Sequence, residues 1–84
     1  RYVMGHSVEH NFLAHLAKTR QQATVFLVNG VKLQGVLSWV GEGSLILTRD
    51  GLSQLVYQHA ISTVMPTDPM PLDAIIGDDN HGNK

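Results

Sequence analysis

Apolar residues recur at two different periods along this chain. From Ser7 to Thr19 they fall at Val8, Phe12, Leu13 and Leu16. That spacing puts them on one stripe of a helix. Ser7 is a suitable N-cap, and Glu9 in the first turn suits the positive end of the helix dipole. Lys18 and Arg20 suit the negative end. The pattern predicts a helix over residues 8–19.

From Ala23 the period shortens. Thr24–Val28 is β-branched and aromatic, which predicts a strand. Asn29-Gly30 follows, a strong hairpin signal. Val31–Val40 then alternates apolar and polar residues, as a strand with one buried face does. Gly35 sits inside it, where a glycine commonly marks a bulge or sharp bend. Gly41-Glu42-Gly43 predicts a turn, and Ser44–Thr48 a third strand. Arg49-Asp50-Gly51 predicts a tight hairpin turn, with Leu52–Gln58 as the fourth strand. His59-Ala60 is a short link to a fifth strand, Ile61–Met65, which Pro66 stops.

One helix followed by five short strands predicts a mainly β domain, a strongly bent antiparallel barrel. The strand Ile61–Met65 carries no charge and no internal proline. Such an edge invites pairing with another chain, and head-to-tail pairing closes into a ring when the rotation fits. The expected organisation is an N-terminal extension at 1–7, the domain at 8–66 and a flexible acidic tail at 67–84.

Composition sharpens this picture in three ways. At 84 residues the chain makes one domain, which buries only about 60% of its unfolded surface. Cysteine is absent, so no disulfide adds stability. Oligomerisation is therefore the expected support, in a cytoplasmic setting with no membrane-spanning stretch. The net charge of −1 argues against a nucleic-acid partner, but the charge is unevenly placed. Residues 1–66 hold five basic and three acidic residues, a net +2, and a ring repeats that excess once per subunit.

Two segments are more specific. They are Val28-Asn29-Gly30-Val31-Lys32-Leu33-Gln34-Gly35 and Ser53-Gln54-Leu55-Val56-Tyr57-Gln58-His59-Ala60-Ile61-Ser62-Thr63-Val64. Together they resemble the signature segments of Hfq, the bacterial Sm-like (LSm) family of RNA chaperones. Ser38-Trp39 and Arg49-Asp50-Gly51 resemble its alphaproteobacterial members. The resemblance covers roughly residues 8–66. It implies a homo-oligomeric ring, usually a hexamer, that binds small regulatory RNA and mRNA in post-transcriptional regulation.

It also implies site residues. On the face away from the helix, the positions matching an A-rich RNA site are Phe26, Gly30, Val31, Lys32, Leu33, Gln34, Gln54 and Thr63. An aromatic ring stacks on a base, a glutamine amide pairs with an adenine edge, and glycine admits close backbone approach. Phe26 stands where tyrosine is more usual, which keeps stacking and loses a hydroxyl. On the helix-side face, a uridine pocket is expected near Glu9, Glu42, Gly43, Gln58 and His59, and there the chain departs. Glu42 and Gly43 replace a glutamine and an aromatic, and Gln58 replaces a lysine. The resemblance thus implies a retained A-rich face and a weakened uridine pocket. The basic rim is reduced to Lys18 and Arg20.

Taken singly, these residues have plainer readings. Phe26 and Trp39 suit a core or an interface, Lys32 and Gln34 a solvated strand face, and His59 a structural histidine. His81 with Asp78 and Asp79 is weak as a metal site and reads as solvated tail. No nucleophile elbow or phosphate loop is present, so neither an enzyme nor a cofactor is expected. The competing function is a ring serving as a protein-interaction scaffold with little RNA affinity, in keeping with the net charge and the changes at 42, 43 and 58.

Overall fold

The computed structural model describes residues 7–76. Helix α1 spans Val8–Thr19. Ser7 caps it, its hydroxyl accepting the backbone N–H of His10 at 3.0 Å. Arg20 ends it in the left-handed region (φ 57°), donating its N–H to the carbonyl of Leu16. Leu13 and Leu16 are buried, and Phe12 and Ala17 pack beside them.

The strands are β1 (Gln22–Leu27), β2 (Lys32–Val40), β3 (Ser44–Arg49), β4 (Leu52–Tyr57) and β5 (Ile61–Pro66). They form one antiparallel sheet in the order β4-β3-β2-β1-β5. Ala23, Val25, Leu37, Leu45, Leu47 and Val56 line its inner face and meet α1 in a single core. The expected helix and five strands are all present, with small shifts at their ends. A single-turn 3-10 helix at Gln58–Ala60 takes the place of the last residue expected in the fourth strand.

The first hairpin turns differently from the bare Asn-Gly signal. The Leu27 N–H donates to the carbonyl of Val31 at 2.8 Å, so Val28 and Val31 lie in the loop and not in the strands. The N–H of Val28 goes to Ala60 instead. Only Gly30 takes a positive φ here (94°), whereas a two-residue type I′ turn needs one at both central positions. Asp50 and Gly51 do meet that requirement (φ 53° and 81°) and join β3 to β4 directly.

Two irregularities bend the sheet. The β2–β3 register shifts between Leu37 and Trp39, with Ser38 as the extra residue. A bulge reverses the inside–outside alternation beyond it. Trp39 therefore points outward, 48% exposed, while Val40 packs against the core. The bulge lies three residues beyond Gly35, so the glycine has another purpose. A Cβ at Gly35 would lie 2.7 Å from the carbonyl oxygen of Thr48, and glycine permits that close approach of β2 to β3. A second shift, between Phe26 and Leu27, leaves Ser62 as the extra residue of β5.

Past β5 the chain returns to α1. A short helix α2 (Leu72–Ile76) buries Ile75, and Asn11 donates its side-chain amide to the Ile75 carbonyl at 3.2 Å. His81, Asp78 and Asp79 lie outside the described residues.

Candidate nucleic-acid interface

The strand registers place several expected residues side by side. Phe26 sits opposite Lys32 on one flank and opposite Thr63 on the other. Cross-strand partners share a face, so Lys32, Phe26 and Thr63 form one row across β2, β1 and β5. Gln34, Thr24 and Met65 form the next row. Val25, between Thr24 and Phe26, is fully buried against the helix side, so these rows lie on the opposite face. Phe26 is half-buried, so part of its surface is open. Gly30 and Val31 lie at the exposed hairpin end of the same rows.

A groove opens where β2 begins and the β3–β4 turn ends. Lys32, Leu33, Gln34 and Gln54 line it together with Arg49, Asp50 and Leu52. Leu33 and Leu52 supply apolar surface, Gln34 and Gln54 supply amides, and Lys32 and Arg49 supply positive charge. The Gln34 amide is oriented from both ends. Its Nε2 donates to Thr24 Oγ1 at 3.4 Å, and its Oε1 accepts from Arg49 Nη1 at 3.3 Å. Gln54 is exposed and lines the same groove. Lys32 belongs to both the row and the groove. Arg49, Asp50 and Leu52 were not expected as site residues. The only signal in the sequence was their place at an Asp-Gly turn, which does not say where the turn lies relative to β2.

The helix-side positions are less united. Glu9 and Gln58 share an apolar hollow of about 360 Å³ with Val8, Phe12, Leu13 and the edge strand from Ile61 to Val64. The Gln58 amide is committed to backbone, donating to the carbonyls of Gly41 at 3.0 Å and Ser44 at 2.9 Å. His59 lies against the Tyr57 ring, centroids 5.8 Å apart and planes 29° apart. Glu42 and Gly43 are exposed in the β2–β3 turn and do not line the hollow. Lys18 and Arg20 are exposed at the end of α1.

Among the described residues no cluster of His, Asp and Glu is arranged to hold a metal ion. No described helix is long and apolar enough to cross a membrane.

Comparison with known proteins bears on this surface. Residues 8–71 match the model of the Hfq protein family. The RNA-binding protein Hfq of Parvibaculum lavamentivorans is 54% identical over 67 residues, which cover 80% of this chain and 82% of that protein. The RNA-binding protein Hfq of Ruegeria pomeroyi is 57% identical over 61 residues, covering 73% and 77%. Among solved structures, a 1.55 Å crystal structure of the pleiotropic translational regulator Hfq superposes with a TM-score of 0.67 at 29% identity. The match covers 70% of this chain and 98% of that one.

Proposed function

The chain belongs to the Hfq family, and from that premise we propose that it is an RNA-binding chaperone of post-transcriptional regulation, not an enzyme. It acts as a homo-oligomeric ring, and its A-rich site is the face carrying Phe26, Lys32, Gln34 and Gln54. The observation that carries this reading is the row Lys32–Phe26–Thr63 beside the amide-walled groove. The row offers a base an aromatic surface next to a cation. The groove offers donors and acceptors for a base edge over the apolar surface of Leu33 and Leu52.

The ring reading is supported by the sheet edges. β4 and β5 each pair with one strand only, and they are the two ends of the sheet. Leu55 and Tyr57 on β4 and Met65 on β5 are each more than half exposed. Unpaired, apolar edges of this kind favour strand addition, and two different edges favour head-to-tail closure. A hexamer is the state the family suggests.

The weakened uridine site is supported by the hollow at Glu9 and Gln58. Among the described residues no cation lines it, and the Gln58 amide donor is held by two backbone carbonyls. The Glu9 carboxylate lining the hollow opposes an incoming phosphate.

Purification of the native protein separates this function from a scaffold ring. The expected result is a particle several times the chain mass that carries RNA released by salt. A ring free of nucleic acid that shows no salt-dependent binding to oligoadenylate would establish the scaffold instead.

A further inference from the structure

Arg49 lies at the end of β3, outside every position that the family resemblance assigns to RNA contact. Its Nη1 donates to Gln34 Oε1 at 3.3 Å, and its Nε stands 3.7 Å from the Asp50 carboxylate. Most of the guanidinium remains uncommitted. It has five N–H donors, and an ion pair between side chains 58% and 86% exposed is weak in water. The bond to Gln34 holds the side chain over the groove, so less rotamer freedom is lost when a ligand arrives.

Lys32 is the other cation of the groove. The amides of Gln34 and Gln54 and the apolar side chains of Leu33 and Leu52 line the same groove. That arrangement gives a nucleotide two different things: amide and apolar surface for a base, and positive charge for the adjoining phosphodiester. Two cations face one acid there, so the groove keeps a net positive charge.

We propose that Arg49 is an additional RNA-contacting residue of this groove, binding a backbone phosphate oxygen of a single strand whose bases meet the neighbouring amides. The proposal rests on reading the groove as the A-rich site, and it adds to that site a contact without sequence preference. The planar guanidinium suits a phosphate through paired N–H donors, which a lysine ammonium does not reproduce.

The test uses the assembled full chain with labelled oligoadenylate and a labelled mixed-sequence oligonucleotide, each titrated over a range of salt. Arg49→Gln removes the charge at an exposed turn and keeps an amide for Gln34. It is expected to weaken both oligonucleotides by about tenfold, in the same ratio. It is also expected to reduce the salt slope by about 0.7 for each subunit the strand engages. Arg49→Lys is expected to restore the slope. An unchanged slope, a loss confined to oligoadenylate, or a slope that Arg49→Lys does not restore would each overturn the phosphate contact. Wild-type protein that fails to bind oligoadenylate would overturn the reading of the groove itself, which distinguishes the two failures.

Discussion

The side-chain nitrogen of Gln58 lies 2.9 Å from the carbonyl oxygen of Ser44. It also reaches the Gly41 carbonyl at 3.0 Å, and the Gln58 backbone N–H donates to Gly43 at 2.9 Å. One residue thus ties the 3-10 turn after β4 to both ends of the β2–β3 turn. The position where the family resemblance calls for an RNA-facing lysine serves here as a brace.

Gln58→Ala should therefore act on stability and not on A-rich binding. The Gly41 carbonyl loses its side-chain partner in a half-buried setting, while the Ser44 carbonyl keeps the Gly41 N–H, and the loss costs about 1–3 kcal/mol. Thermal unfolding should shift down by about 4–8 °C for each kcal/mol lost in a domain this small. Hydrogen exchange should quicken over Gly41–Ser44, with oligoadenylate affinity unchanged. A melting temperature equal to wild type would show that these hydrogen bonds add nothing to stability.

Phe26→Ala should act in the opposite way. Loss of the proposed base platform should cost about 1–3 kcal/mol of binding per stacked base, while a half-buried ring at the sheet surface contributes less to folding than the core leucines. Phe26→Tyr should keep full affinity, because the ring is retained. Equilibrium binding of oligoadenylate checks both; equal losses in the two variants would place the effect in packing and not in stacking.

Gly35→Ala should destabilise the barrel by about 1–3 kcal/mol, since a methyl group there meets the Thr48 carbonyl oxygen at 2.7 Å and backbone must move. Chemical denaturation with an unchanged m-value is the readout. A variant as stable as wild type would mean that β2 and β3 do not approach as closely as described.

Asp50→Asn should strengthen oligoadenylate binding by about twofold to fivefold at low salt, and less at high salt, because Asp50 is the one acid among the described residues of the groove. Asparagine tolerates the left-handed conformation that Asp50 occupies, so the turn survives. Weaker binding on this substitution would contradict the electrostatic account of the groove.

Element order was readable from the chain because the hydrophobic period changes from helical to alternating near Ala23, and because Asp50-Gly51 supplies the conformations its turn requires. The outward turn of Trp39 was not readable. It depends on Ser38 being the unpaired residue of a bulge, which is decided by the register with β3 and not by Ser38 itself. The same limit applies to the site. Phe26, Lys32 and Gln34 alternate along two adjacent strands, so their shared face follows from local pattern. Arg49 reaches Gln34 across fifteen positions of sequence, because the β2–β3 register, with Val36 opposite Thr48, brings these two strand ends side by side, and that register is not written in either residue.

The most direct test is fluorescence anisotropy of the native protein with A-rich and U-rich oligonucleotides in parallel at two salt concentrations. Tight, salt-sensitive binding of the A-rich strand with weak binding of the U-rich strand is the expected result. Preferential binding of the U-rich strand would contradict the account, because it would require a working pocket at Glu9, Gln58 and His59.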